Sequence, residues 1–332
     1  MNFIIEEIKI NPNKLLSGKK SRAYLQEKEK EIKPDFVISV FGPSYWRPIS
    51  PHIQGYAFGH YIYSDSPFYK NNFISLKEKL KWKIKKILHT YFIKRDGDYF
   101  ICETQDVSRR VIDLFQVESK NVFTVSNIYN EVFDRFIPQQ NKLLEKKNNN
   151  EFRILCLCSG DSHKNLKVLN DVIPVLEKKF VDFEFKFVLT IDKTIFETIF
   201  ESDVKSKLIN LGRVNIDDCP QLYFETDCLF LPSLIECFSA NYPEAMKMNR
   251  PIVTSNLSFA RDICGEAAYY INPLNPDDIA NGLFEVLTNE NIKKNLILKG
   301  NIQLKNFGTA LERAQKYIEI GCKVSKRSNN YD

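Results

Sequence analysis

The chain has 332 residues, of which 43% are apolar and 27% are charged. This composition suffices for two ordinary domains with buried cores, and it excludes a globally disordered or collagen-like chain. No apolar run approaches the ~20 residues of a membrane span, and the acidic start lacks the apolar core of a secretion signal. We therefore expect a cytoplasmic protein.

The net charge of +5 is unevenly distributed along the chain. Residues 1–135 hold 22 Lys and Arg against 16 Asp and Glu, whereas the remainder is close to neutral. The segment Leu76–Arg95 alone contains eight basic residues and one Glu. Its apolar residues recur at helical spacing: Leu76, Leu80, Ile84, Ile87, Leu88 and Tyr91. This pattern predicts either a helix with a solvated basic face or a helix on a membrane surface.

The first of these two alternatives is the more common one. The second predicts peripheral binding to an anionic membrane through Lys77–Lys86, weakening as salt rises. Nucleic acid is not an expected partner, because the second half of the chain carries no basic excess and contains no nucleic-acid motif.

Residues 1–138 predict an α/β domain. The expected strands are Asp35–Val40, His52–Tyr56, Tyr99–Cys102 and Val122–Val125, and the expected helices are Leu76–Tyr91 and Thr104–Phe115. Before Pro34 the only strand pattern is Phe3–Ile10. We therefore expect this domain to be short or incomplete.

Residues 139–151 are polar and rich in Asn and Lys, which predicts a linker. In residues 152–305, helical segments separate six strand candidates, namely Arg153–Cys158, Phe185–Thr190, Leu208–Leu211, Cys228–Pro232, Ile252–Ser255 and Ala268–Ile271. Such alternation predicts a doubly wound, parallel, Rossmann-like sheet. We expect residues 306–332 to contain a helix, which is a candidate for crossing back to the first domain. The tail from Cys322 onward is expected to be frayed.

Eight cysteines are scattered along the chain, and Cys156-x-Cys158 is their one close spacing. A zinc site would need a second such pair. We expect reduced structural thiols and no metal.

Candidate chemistry lies after the strands, because ligands of open parallel sheets bind at the carboxyl ends of the strands. The small polar loop Ser159–Asn165 contains Lys164 and precedes a predicted helix, which suits a phosphate. The loop after Pro232 contains Glu236, and Glu244 lies in the first turn of the next helix, where a carboxylate is favoured. Two carboxylates facing one cleft can bind the two sets of hydroxyls of a sugar nucleotide.

Glu236-x7-Glu244, followed by Ala245-Met246 and Arg250–Ser255, resembles the signature of family 4 glycosyltransferases (group 1). These are retaining enzymes of the two-domain GT-B fold. His163–Leu166 resembles the family's donor-phosphate lysine loop, and Leu211–Val214 resembles the loop that reads the nucleotide base. The resemblance extends over roughly residues 35–320.

The resemblance implies roles for individual residues. Lys164 would neutralise the donor diphosphate, Glu236 would bind the donor sugar near its anomeric carbon, and Glu244 would bind the ribose. The backbone of Phe238, Ser239 and Ala240 would lie against sugar or phosphate, and Gly212, Arg213 and Val214 would lie beside the base. His60 resembles the catalytic histidine of the acceptor side. The implied partners are a nucleotide-sugar donor and a glycan or lipid-linked glycan acceptor, without a metal or other cofactor.

The chain departs from the family pattern in two places. Many members carry an Arg just before the donor lysine, where this chain has Ser159–Ser162, so Arg213 or Arg261 is a candidate replacement. The usual N-terminal strand and Gly-rich turn are also missing from the sequence pattern. The alternatives are therefore a sugar-nucleotide-binding protein without turnover or a GT-B sugar-nucleotide epimerase. His52 lies near His60, and either could be a core histidine.

Overall fold

The computed structural model describes residue 8 and residues 17–70, 73–139, 142–148 and 150–328. The elements of the first part of the chain are α1 (Lys19–Ile32), β1 (Val37–Ser39), β2 (His52–Tyr56), α2 (Gly59–Ile62), α3 (Pro67–Lys70), α4 (Leu76–Asp96), β3 (Tyr99–Cys102), α5 (Gln105–Phe115) and β4 (Val122–Thr124). The following elements are β5 (Phe152–Cys156), α6 (Leu169–Lys179), β6 (Phe185–Leu189), α7 (Lys193–Ile199), β7 (Leu208–Asn210), α8 (Cys219–Glu225), β8 (Cys228–Leu231), α9 (Asn241–Lys247), β9 (Ile252–Ser255), α10 (Ser258–Cys264), β10 (Ala268–Ile271), α11 (Pro276–Thr288), α12 (Glu290–Leu304) and α13 (Ala310–Ser328).

The chain forms two compact units that do not follow a single boundary in the sequence. The first unit comprises Met1–Ser64, Ile74–Ser126 and Leu311–Asp332, and the second comprises Asp65–Phe73 and Asn127–Ala310. Residues 127–138, which the sequence analysis assigned to the first domain, thus group with the second unit. The short segment Asp65–Phe73 belongs to the second unit, although the residues immediately before and after it belong to the first.

The first unit contains a four-stranded parallel sheet in the order β1-β2-β3-β4. All four strands predicted between residues 35 and 125 are confirmed. The predicted strand at Phe3–Ile10 lies almost wholly outside the described residues. β2 is buried along its whole length, and at Gly55 an added Cβ would lie 1.8 Å from the Val40 carbonyl oxygen. This close approach of backbone to backbone requires glycine at that position.

The C-terminal helix α13 completes the core of the first unit. Val324 is fully buried there, against Ile53, Ile101 and Val125. The prediction of a frayed tail from Cys322 is therefore wrong as far as Ser328, and the rest of that segment lies outside the described residues. The small core of the first sheet therefore includes apolar residues from the C-terminal part of the sequence.

The second unit contains a six-stranded parallel sheet in the order β7-β6-β5-β8-β9-β10. Numbered within the unit, this order is 3-2-1-4-5-6, that of the doubly wound Rossmann fold. All six predicted strands are present. Most of their residues are fully buried because helices cover both faces of the sheet, which is why these strands appear as continuous apolar runs. The predicted α/β class with two parallel sheets is confirmed.

The strand order of the second unit also determines where a ligand can bind. The direction of winding reverses between β5 and β8, so the carboxyl ends of these two strands flank a crevice. The loops that leave these strands, 157–168 and 232–240, are those in which the sequence analysis located Lys164 and Glu236. Among the helices of the described residues, none has both the length and the apolar composition needed to cross a membrane.

Candidate active site

Two hydrogen bonds fix the loops that leave β5 and β8. The backbone N–H of Leu234 donates to the carbonyl oxygen of His163 at 2.7 Å. The side-chain amide of Asn241, at the start of α9, donates to the carbonyl oxygen of Leu157. These bonds join groups that are about 70 to 80 residues apart in the sequence. They hold the Lys164 and Glu236 backbones in a defined relation before any ligand binds.

Lys164 and Glu236 form an ion pair in this crevice. The Lys164 ammonium donates to Glu236 Oε1, and both side chains are largely withdrawn from water. Burial lowers the pKa of Lys164, but the neighbouring Glu236 carboxylate more than offsets this effect, so the net pKa lies above its ordinary value. The lysine is therefore a full positive charge at neutral pH. A diphosphate arriving here would compete with Glu236 for that charge.

Lys164 does not lie at the start of an α-helix. It belongs to a 3-10 turn, Ser162–Lys164, and a second such turn precedes α6. Between them Asn165 adopts a left-handed conformation with φ 60°, and its side-chain amide donates to the Pro273 carbonyl oxygen at 2.8 Å. The lysine is thus positioned by turn geometry and by this amide bond, and less by a helix dipole.

Glu244 lies in the first turn of α9 and is buried. The Tyr223 hydroxyl donates to Glu244 Oε2 at 3.1 Å. Burial raises the pKa of Glu244 to about 7, although the Tyr223 hydrogen bond acts in the opposite direction. Near neutral pH this carboxyl group can therefore both accept and donate a hydrogen bond, as recognition of hydroxyl groups requires.

A cavity of about 460 Å³ lies at the ends of β5 and β6. Its lining includes Arg213 and Val214 together with Ser159, Gly160, Asp161 and Thr190. The Asp161 carbonyl oxygen accepts from the Lys164 backbone N–H at 2.9 Å, so the ion pair lies beside this cavity. Arg261, the other candidate for the missing arginine, instead donates to Asn256 and packs over Tyr270. Of the two arginines, Arg213 is the one that faces this cavity.

The other residues predicted to bind the sugar-nucleotide donor do not line this cavity. Gly212 has φ +71° and lines a neighbouring cavity with Asn210 and Leu211. Phe238 packs against Phe307 at 6.0 Å, and Ser239 is buried. The backbone oxygen of Ala240 accepts from the Glu244 N–H at 3.0 Å, which places Ala240 at the N-cap of α9.

His60 belongs to the first unit, where it lies in the short helix α2. Its ring stacks on Trp82 of α4, with centroids 4.4 Å apart and planes 20° apart. His52 is fully buried: its Nδ1–H donates to the Asp96 carbonyl oxygen at 2.6 Å, and Ser39 Oγ lies 2.8 Å from its Nε2. Of the two histidines, His52 is therefore the core residue. Burial lowers its pKa, which keeps the ring neutral.

The structure adds residues that the sequence analysis did not single out. Tyr223 and Asn241 contact the site through the hydrogen bonds described above. The segment Asp65–Phe73 also reaches it: the Ser66 hydroxyl donates to the Leu234 carbonyl oxygen at 2.7 Å. Phe73 lines a cavity of about 480 Å³ that shares Gly160 and Asp161 with the first. No local sequence pattern connects this segment with a loop more than 160 residues away.

In the described part of the chain, no three His, Cys, Asp or Glu side chains cluster in a way that would suit a metal ion. The expectation that no metal or other cofactor takes part remains a prediction.

Residues 151–289 match the family model described as glycosyl transferases group 1. This part of the chain, which holds the six-stranded sheet and the loops that carry Lys164 and Glu236, is therefore similar to that family. The O-antigen chain mannosyltransferase RfbU of Salmonella typhimurium is 22% identical over 214 residues, which are 62% of this chain and 54% of that protein. The chain aligns with about half or less of the length of its curated relatives.

Solved structures share the fold of this chain at low sequence identity. Sucrose-phosphate synthase from Thermosynechococcus elongatus has a TM-score of 0.70 at 13% identity, covering 94% of this chain and 79% of that one. Anabaena HepE, solved with UDP and glucose, has a TM-score of 0.66 at 12% identity, covering 95% and 83%. The predicted GT-B class is confirmed by these likenesses.

Proposed function

We propose that this protein is a retaining glycosyltransferase that moves a sugar from a nucleotide-sugar donor to a glycan or lipid-linked glycan acceptor during assembly of a cell-surface polysaccharide. The observation that carries the proposal is the ion pair of Lys164 and Glu236 at the switch point of the second sheet, beside the cavity that Arg213 lines. The family-model match over residues 151–289 and the similarity to the O-antigen mannosyltransferase support the same conclusion.

We propose that donor binding breaks the ion pair of Lys164 and Glu236. Lys164 turns to the diphosphate, and Glu236 is released to accept hydrogen bonds from the donor sugar. Glu244 accepts from the ribose hydroxyls, and Val214 lies beside the base with Arg213. Gly212 and the backbone of 238–240 complete the contacts. Before binding, each charge neutralises the other, so the empty site avoids an unpaired charge in a poorly solvated crevice.

Catalysis in this scheme is mainly electrostatic. Negative charge develops on the leaving nucleoside diphosphate as the glycosidic bond breaks, and Lys164 stabilises it. A positioned donor of this kind is typically worth about 3–4 kcal/mol in the transition state. The acceptor hydroxyl attacks from the face that the diphosphate leaves, which retains the anomeric configuration. His60 is proposed to act on the acceptor side.

UDP is the first nucleotide to test, because one structural relative was solved with UDP and glucose. The mannosyltransferase relative makes a mannosyl donor the second. We also propose that the protein works in the cytoplasm, peripherally at the inner face of the plasma membrane, where a lipid-linked acceptor would be held.

Calorimetric titration of nucleotide sugars, paired with a donor-hydrolysis assay, tests the proposal. We expect the wild type to bind one donor and to turn it over, and Glu244→Ala to lose most of the binding. Lys164→Ala should lose turnover, whereas Lys178→Ala, an exposed lysine on α6, should behave as the wild type. Unchanged binding and turnover in Glu244→Ala would refute the assignment of the site.

The same assays separate the alternatives. Binding of a donor without transfer to any acceptor would favour a sugar-nucleotide-binding protein. A changed sugar configuration in the absence of acceptor would favour an epimerase.

A further inference from the structure

Helix α4 presents its apolar residues to solvent. Leu76, Leu80, Ile84, Ile87, Leu88 and Tyr91 are between 41% and 83% exposed. The helix itself is well formed: Ser75 and Glu78 make a reciprocal capping box at its start. An ordinary amphipathic helix buries its apolar stripe and solvates its charges. α4 exposes its apolar stripe as well as its charges, so the alternative of a packed apolar face with a solvated basic face is wrong for this helix.

The exposed residues form one stripe. At 3.6 residues per turn they cover about 120° of the helix circumference. The opposite side of the helix packs against the first unit, where Ile93 is buried and Trp82 stacks on His60. The stripe therefore points directly away from the body of its own unit, and no rotation of side chains can bury it there.

Positive charge borders the stripe on both sides. Lys77 and Lys81 lie along one edge and Lys83 and Lys94 along the other, all exposed. The one acidic residue of the segment, Glu78, is engaged in the capping box. An apolar stripe between two rows of lysines complements a surface that is apolar inside and negatively charged at its border. A second copy of the chain would bring two rows of like charge together.

We propose that α4 lies along the surface of an anionic lipid bilayer. The six exposed apolar residues enter the boundary between headgroups and acyl chains, and the bordering lysines contact the lipid phosphates. The binding itself is independent of catalysis, but its purpose rests on the proposed function. Because His60 stacks on the opposite side of α4, membrane binding brings this residue within about one helix diameter, ~10 Å, of the lipid surface. A lipid-linked acceptor would be presented at that height.

Flotation of the full chain with vesicles tests the proposal without any donor. We expect the wild type to float at 0.1 M salt with vesicles containing phosphatidylglycerol but not with pure phosphatidylcholine. At 1 M salt the screening length falls from ~10 Å to ~3 Å, and the bound fraction should fall with it. Ile84→Ser/Ile87→Ser should lower the partition coefficient about tenfold or more. Its matched control is Leu298→Ser/Ile302→Ser on α12, with similarly exposed side chains and no expected change.

Three results would overturn the proposal. They are a wild type that does not float with anionic vesicles, an Ile84→Ser/Ile87→Ser variant that floats equally well, and a wild-type dimer that this variant converts to monomer. Circular dichroism confirms that the variants are folded. Vesicle binding without donor turnover would support the proposed role of α4 and refute the proposed enzymatic function. Donor turnover without vesicle binding would support the enzymatic function and refute the role of α4.

Discussion

The buried Glu244 makes the stability of the protein depend on pH in a direction that can be tested without a substrate. Its pKa rises from 4.5 in the unfolded chain to about 7 in the folded protein, so the folded state binds the proton more tightly. Stability from this group is therefore greatest below the unfolded pKa and is lost as pH rises through the folded pKa. The difference corresponds to about 3 kcal/mol at pH 8.5 and about 1 kcal/mol at pH 5.

Glu244→Gln removes the ionisation but keeps the shape and the acceptor for the Tyr223 hydroxyl. We expect this variant to be more stable than the wild type by about 3 kcal/mol at pH 8.5, or roughly 6–12 °C in Tm for a unit of this size. The advantage should shrink to about 1 kcal/mol at pH 5. Thermal unfolding in the absence of nucleotide, followed by circular dichroism across this pH range, measures it.

Two further variants sharpen this experiment. Glu319→Gln on α13 removes an exposed carboxylate that stays in water, so no pH-dependent advantage is expected. Tyr223→Phe removes the hydrogen bond that favours the Glu244 carboxylate, so the inflection of its stability curve should move to higher pH. A Glu244→Gln advantage that is equal at pH 5 and pH 8.5 would refute the argument that burial of this carboxyl group controls its protonation.

Other variants probe the ion pair and the first unit. Lys164→Met leaves Glu236 unpaired and should cost about 3 kcal/mol of stability, which Lys164→Met/Glu236→Gln recovers without recovering turnover; equal stability of the two in thermal unfolding would contradict the pairing. Gly55→Ala places a Cβ against the Val40 carbonyl oxygen and should destabilise the first unit by about 3 kcal/mol in urea unfolding, and a change within ~0.5 kcal/mol would count against this packing. Val324→Ala should cost about 2 kcal/mol, measured in the same way, and no loss would mean that α13 does not complete the core.

The strands were predictable because each is an apolar, β-rich run bounded by polar residues. The location of the switch-point loops could be predicted from the strand order, because the residues that follow β5 and β8 lie at the same crevice. Helix α1 was missed because its sequence is highly charged and buries only Ser21 and Glu29, leaving no apolar period to detect. The environment of Glu244 could not be predicted from the sequence either, because Tyr223 lies on another helix and its contact with Glu244 depends on tertiary packing.

Helix α4 shows a different limit of sequence reasoning. The period of its apolar residues is plain from Leu76 to Tyr91, but a period does not say which side of a helix faces the protein. That side is decided by the aromatic contact of Trp82 with His60 and by the burial of Ile93. Both depend on neighbouring elements that the pattern of the helix alone does not contain.

The place of Val324 in the first core has a consequence for the order in which the chain matures on the ribosome. The strands of the first unit are synthesised by residue 126, yet the helix that completes their core arrives about 200 residues later. At ~5–20 residues per second, that interval is ~10–40 s. The unit made first is therefore the last to be finished, and its parallel strands lack part of their core during the interval.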